Sequence, residues 1–232
     1  MNHYNRHREM ILIVAQALGQ DLLDKTAFVG GCTTGLLITD PMTRENVRYT
    51  DDVDLIVSAP GYVGWHNFSQ DLTRRGFRID LNDEVNCRFR LGTLQVDFMP
   101  DDENVLGFSN RWYRDAINTA TRYQLNHTTN IRLVTPPYFL ATKLEAYKGR
   151  GRNDLLSSHD IEDFLNVIDG RAELTQELEQ VAIDVRQYLS DEVARLLQSP
   201  DIPYAVQATA GGDSGREALI FQRLDRIAAP GQ

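Results

Sequence analysis

The chain has 232 residues, 42% hydrophobic and 25% charged, which is enough to bury a core and unlike a disordered chain or a small stapled scaffold. With 24 Lys and Arg against 33 Asp and Glu, its net charge of −9 argues against a surface that coats nucleic acid nonspecifically. The longest apolar run, near Met10 to Ala17, is too short to span a bilayer, and no small-residue cleavage site follows the polar start. No membrane partner or secretory signal is therefore expected. Two cysteines, Cys32 and Cys87, make neither a zinc set nor a redox motif, so a reduced, cytoplasmic setting is expected.

In chain order, Met10, Ile11, Val14, Ala17, Leu18 and Leu22 recur at helical spacing and predict an amphipathic helix over 8–23, closing at Asp24 and Lys25. A short strand at Ala27 to Val29 ends at Gly30-Gly31, and a second helix is expected over Thr33 to Ile38, stopped by Asp40-Pro41. Residues 53–57 read as a buried strand, Tyr62 to Arg75 as a helix and Phe77 to Asp80 as another strand. Cys87 to Leu91 and Leu94 to Phe98 flank Gly92-Thr93 as a two-residue hairpin. A helix over Trp112 to Gln124 and a strand over Ile131 to Val134 come next. The chain then turns helical: Thr135-Pro136-Pro137 opens a helix through Tyr147, a second runs from His159 to Ile168, and a long one from Ala172 to Leu197. Thr209 to Gly215 reads as a flexible linker before a last short helix. These elements predict an α+β chain: a small mixed sheet flanked by helices over 1–134, then a C-terminal helical domain over 135–232.

Chemistry concentrates in Arg48-Tyr49-Thr50-Asp51-Asp52-Val53-Asp54-Leu55-Ile56-Val57. Asp52 and Asp54 alternate with apolar residues, so strand geometry puts both carboxylates on one face. Two like charges that close repel unless a cation or protons neutralise them, which points to a divalent metal. In Gln95-Val96-Asp97-Phe98, Asp97 falls on the face opposite Leu94, Val96 and Phe98, where a neighbouring strand delivers a third carboxylate. Read alone, it is an exposed strand position. Asp52, Asp54 and Asp97 together suit two Mg2+ or Mn2+ ions aligning a nucleoside triphosphate with an attacking hydroxyl. Gly30 and Gly31, between a strand and a helix, let backbone amides approach phosphate, and Thr33 or Thr34 adds a hydroxyl. This turn matches neither the phosphate-loop nor the dinucleotide-binding glycine pattern. A basic middle third follows: Arg111, Arg114, Arg122 and Arg132, then Lys143, Lys148, Arg150 and Arg152. It reads equally as a polyanion-facing groove and as a solvated face.

The Gly-Gly turn, the Asp-x-Asp in a hydrophobic strand and the later lone Asp resemble the DNA polymerase β-like nucleotidyltransferase superfamily. Arg48-Tyr49-Thr50 ahead of the Asp-x-Asp is similar to the AbiEii/AbiGii-type toxin branch, although the gap from Gly31 to Asp52 is longer than in compact members. Lys143 and the Asp160-x-x-Asp163 spacing resemble that branch's helical lysine motif and its Asp-x-x-Asp motif. The likeness covers roughly residues 26–170. It implies transfer of a nucleoside monophosphate from a nucleoside triphosphate, ATP among the candidates, to a hydroxyl. Asp52, Asp54 and Asp97 would hold metal, and Asp97 would help deprotonate the acceptor. Gly30, Gly31 and Thr33 would cradle phosphates, Lys143 would steady the triphosphate, and Arg48 and Thr50 would order the loop or substrate. Asp160 and Asp163 would be supporting or, for Asp163, catalytic. The likeness further implies tRNA or another RNA end as acceptor, an antitoxin partner and a toxin–antitoxin or phage-defence setting. The residues themselves leave open a small-molecule or protein acceptor, as in antibiotic-modifying or AMPylating enzymes, and a catalytically silent nucleotide-binding module. His66, His127 and His159 lack metal-ligand spacing, while Trp65, Trp112 and Cys32 read as packing residues.

Overall fold

The computed structural model describes residues 2–79, 87–107, 109–150 and 154–229. The first half of the chain runs α1 (His3–Leu23), β1 (Thr26–Val29), a 3-10 turn (Gly31–Thr33), α2 (Thr34–Leu37), α3 (Pro41–Glu45), β2 (Asp52–Val57), α4 (Gly61–Arg74), β3 (Arg78–Ile79), β4 (Arg88–Leu91) and β5 (Leu94–Pro100). It continues as α5 (Glu103–Leu106), α6 (Tyr113–Thr119), β6 (Thr121–Gln124), β7 (Asn130–Leu133), α7 (Pro136–Gly149), α8 (His159–Gly170), α9 (Leu174–Gln180), α10 (Ile183–Leu196), α11 (Ile202–Thr209) and α12 (Ser214–Ala228). The chain is α+β, as the alternation of patterns predicts. Among the described residues no helix is long and apolar enough to cross a membrane.

Two compact units share the chain: Met1–Thr33 with Arg48–Thr135, and Thr34–Val47 with Pro136–Gln232. In the first, the described strands form one seven-stranded sheet in the order β3-β4-β5-β2-β1-β7-β6. The β2–β5 and β1–β7 pairs are parallel and the others antiparallel. α1 begins earlier than its apolar spacing suggests, because the Asn2 side chain accepts the Asn5 amide and caps a polar first turn. The β4–β5 hairpin turns at Gly92, whose φ of 60° suits this two-residue connection. One face of that hairpin is aromatic. Phe98 sits at the centre of Phe68, Phe77 and Phe89 at ring-centroid separations of 5.4–5.6 Å, all edge-on, so α4 covers this face through Phe68.

In the second unit α7 and α8 pack together, with α10 and α12 alongside. Residues 34–47 belong here for a local reason. The amides of Thr39 and Asp40 both donate to the Gly170 carbonyl at 2.9 Å, ending α8 against that segment. A Cβ on Gly170 would lie 2.5 Å from Ile38 Cγ2, so only glycine admits the approach. Arg216 completes the junction, its Nε donating to Asp169 at 3.1 Å and its Nη2 to Asp40 at 3.3 Å.

Several elements differ from the sequence expectation. α2 ends at Leu37, ahead of Asp40-Pro41 as expected, but that pair also starts a further helix, because Asp40 accepts the Thr43 amide at 2.8 Å and Pro41 fits the first turn. The helix expected through Gln124 ends at Thr119. Thr121 to Gln124 instead pairs antiparallel with β7, where β-branched and aromatic residues suit an edge strand. The stretch from Ala172 to Leu197 breaks at Val181 and Ala182, both extended. Apolar spacing continues in phase across the break through Leu178, Val181 and Val185, and therefore gives no sign of it. The expected linker at Thr209 to Gly215 is a turn. Gly211 and Gly212 take positive φ, and Asp213 caps a final helix of 15 residues, not a short one. The strand expected at Phe77 to Asp80 is Arg78–Ile79, and Asp80 lies outside the described residues.

A candidate metal and phosphate site

β2 emerges from a loop tied down by His7 of α1. The ring Nε2 of His7 accepts the Thr50 amide at 3.2 Å, and the Thr50 hydroxyl in turn donates to Asp52. His7 also accepts at its carbonyl from the Cys32 thiol, so one buried residue braces both the glycine turn and the approach to β2. Arg48, half-buried, donates to the Tyr49 carbonyl at 3.2 Å.

Along β2, Val53 and Leu55 are fully buried while Asp52 and Asp54 are half-buried on the opposite face. The parallel register with β5 sets Asp54 beside Asp97 and Asp52 beside Gln95. One carboxylate oxygen from each of Asp52, Asp54 and Asp97 lies within 4.8 Å of the other two. The three expected carboxylates are therefore one cluster. The antiparallel register of β4 places Arg88 opposite Asp97, and its guanidinium forks onto both oxygens, Nε to Oδ1 and Nη2 to Oδ2, at 2.8 Å each. Sequence reading missed Arg88, although the hairpin contains the signal: a two-residue turn pairing Leu91 with Leu94 also pairs Arg88 with Asp97. No spacing rule would have found His7.

Gly30 closes the other side. Its φ is 78°, and a Cβ there would lie 1.8 Å from Asp54 Oδ2, so the turn lies directly against the carboxylate. Gly31 is buried at the start of the 3-10 turn, and Thr33, fully buried, donates its hydroxyl to the Gly30 carbonyl at 2.8 Å. That hydroxyl shapes the turn. Cys87 adjoins the cluster. Burial first, then the negative fields of Asp97 and Asp54, pushes its thiol up to about 12, so it stays protonated.

No protein-family model matches the chain, and no curated protein matches it either. The donor set nevertheless has a definite chemistry. Converging carboxylate oxygens without imidazole or thiolate suit hard cations such as Mg2+ and Mn2+. Arg88 offsets one of the three negative charges, and a divalent ion would offset more.

The remaining expected residues gather in the second unit. Lys143 Nζ donates to Asp163 at 2.6 Å and Asp160 at 3.2 Å, and Arg150 pairs with Asp160 at 2.8 Å. The Lys143, Asp160 and Asp163 side chains are only 9%, 4% and 1% exposed. Asp160 is not the cap of its helix, a role that Ser158 fills by accepting the Ile161 amide. The basic middle third is divided between the units. Arg114 approaches Asp101 and Arg132 donates to the Asp24 carbonyl in the first, while Lys148 pairs with Glu192 in the second. Arg152 lies outside the described residues.

Proposed function

We propose that the chain is a metal-dependent nucleotidyltransferase of the DNA polymerase β-like kind, transferring a nucleoside monophosphate from a triphosphate to a hydroxyl. The observation that carries this reading is the register of β2 and β5. It brings Asp54 alongside Asp97 with Asp52 on the same face and the Gly30 turn against Asp54. Mg2+ or Mn2+, when bound, would supply charge neutralisation on the reacting phosphates. Asp52, Asp54 and Asp97 would hold it. The chain's own work is positioning. The Gly30-Gly31 turn offers backbone amides to the phosphates without a side chain in the way, and the His7–Thr50 tie orients Asp52. Asp97 takes the proton of the attacking hydroxyl at a carboxylate oxygen, each of which keeps a lone pair that the Arg88 fork does not use.

The likeness to AbiEii/AbiGii-type toxins favours a tRNA or other RNA end as acceptor, with an antitoxin partner in the cytoplasm. The net charge of −9 favours a second reading, in which the acceptor is a small molecule or a protein. Incubation with each labelled triphosphate, Mg2+, total RNA and a protein extract separates the two. Label on RNA supports the first and label on protein or a small acceptor the second. No label anywhere, with Asp54→Ala indistinguishable from wild type, would sink the proposal and leave a silent binding module.

A further inference from the structure

The second unit holds a cavity of about 740 Å3, and its described lining residues all belong to that unit. The helices that enclose it explain why it exists. On α8, Ile161 and Leu165 fall one turn apart, and Glu162, Asn166 and Asp169 form the neighbouring stripe, so one face of the helix lines the space. α11 packs against α8 and contributes Ala205, Ala208 and Thr209, side chains too short to fill the gap. Met42 and Leu156, both exposed, stand at its rim. A space of this size falls within the range of small-molecule sites, roughly 300–1,000 Å3.

One side chain in this lining is out of keeping with its surroundings. Thr43 and Asp169, also buried there, bind each other at 2.8 Å, and Arg216 closes onto Asp169. The Thr209 hydroxyl donates to the Ala205 carbonyl, and Asp213 accepts the Gly215 and Arg216 amides. Asn166 is only 6% exposed, lines the cavity, and has no side-chain hydrogen-bond partner among the described residues. Burying an amide without a partner destabilises a fold, whereas a leucine at this position would extend the apolar wall of Ile161 and Leu165. Local rules broken in this way mark places where a ligand completes the structure.

The chemistry of the missing partner follows from the carboxamide itself, which offers an N–H donor and a carbonyl acceptor side by side. Its complement carries the same pair in the cis arrangement, as primary carboxamides and lactams do. A trans peptide bond points its N–H and C=O in opposite directions and cannot close both hydrogen bonds. We propose that this cavity binds a small organic molecule with an apolar body and one cis carboxamide-type edge. The edge pairs with Asn166, and Ile161, Leu165 and Ala205 enclose the body. The site stands apart from the nucleotidyltransferase reading, since every residue it uses lies in the second unit.

Ligand-observed NMR titration of the full chain with naphthamide, a primary carboxamide, and isoquinolone, a lactam, tests the site with no triphosphate or metal present. At least one of them binds the wild type with a Kd on the order of 1 mM or tighter, as expected of a small fragment. It binds at least about tenfold tighter than its N-methylated counterpart, N,N-dimethylnaphthamide or N-methylisoquinolone, which lacks the donor. The tighter of the two tells whether the edge belongs to an open-chain amide or to a ring. Asn166→Leu loses the preference over the methylated probe while its Tm stays level or rises, because no hydrogen bond within the protein is lost. Ala208→Trp, projecting into the cavity from an exposed position of α11, weakens binding of the unmethylated probe by about tenfold or more. No binding by the wild type overturns the proposal, as does equal binding of the methylated probes. An unchanged preference in Asn166→Leu, or unchanged binding in Ala208→Trp, overturns it as well. A marked fall in Tm for Asn166→Leu also overturns it, by showing that the amide serves the fold. Because none of these measurements reads label transfer, failure of the transferase reading leaves them untouched.

Discussion

Gly30→Ala tests whether the glycine turn and the carboxylates are one device. The new Cβ would begin 1.8 Å from Asp54 Oδ2 and 2.5 Å from its Cγ. The carboxylate must retreat by roughly 1.5 Å to regain ordinary contact distance. The left-handed backbone at Gly30 adds about 1–2 kcal/mol for any L-residue, and the overlap a further ~1–3 kcal/mol. Gly92→Ala is the matched control. Its φ of 60° is left-handed too, yet nothing lies within 4 Å of the added Cβ, so it incurs the backbone cost alone. Thermal unfolding with and without Mn2+, together with calorimetric Mn2+ titration, reads both effects. Gly30→Ala should unfold lower than Gly92→Ala and bind Mn2+ at least about tenfold more weakly, because Asp54 is displaced. Gly92→Ala should bind Mn2+ as the wild type does. Equal Mn2+ affinity in Gly30→Ala and wild type, with equal unfolding of the two variants, would refute the coupling.

Arg88→Ala removes the fork from Asp97, a partly buried carboxylate, and should cost about 3 kcal/mol in metal-free buffer. Added Mg2+ should then recover more stability in this variant than in wild type, measured as the Tm shift across a Mg2+ titration. Lys143→Ala leaves Asp160 and Asp163 facing each other in the second unit without their shared ammonium. A loss of about 3–5 kcal/mol is expected by urea unfolding, and Lys143→Arg should recover only part of it, the fork being bulkier. Cys87, raised to about 12 from an ordinary value of 9.0, should resist thiol reagents in the native chain at pH 8 and react on unfolding. A raised native value means that its stabilising effect is complete below pH 9 and fades as pH climbs from there toward 12. Stability of the wild type should therefore fall faster over that window than that of Cys87→Ala.

What could be read from the sequence followed the strength of local pattern. Period two at Asp52 to Val57 and around Gly92-Thr93 put Asp52, Asp54 and Asp97 on strands with the right faces, and helical spacing located α4, α7 and α8. Tertiary partners set the rest. Thr121 to Gln124 is a strand because β7 offers an edge, and Val181 leaves a helix whose apolar phase never falters. Residues 34–47 give no local hint that they pack against Gly170 and Arg216, more than a hundred positions later. Arg88 was within reach of hairpin arithmetic. His7 was not, because its partners Thr50 and Cys32 are fixed only by the way α1 lies on the first unit.

The placement of Thr34–Val47 also has a temporal side. Leu36, Leu37 and Ile38 are almost fully buried in a unit otherwise made from residue 136 onward. On a ribosome adding on the order of ten residues per second, this greasy segment emerges on the order of ten seconds before Gly170 and Arg216. Until then the nascent chain holds a hydrophobic loop inside the span of its first unit with its own partners still unmade. That interval, rather than the finished fold, is where the polypeptide most needs shielding from aggregation, and cutting the gene after residue 135 would make it permanent.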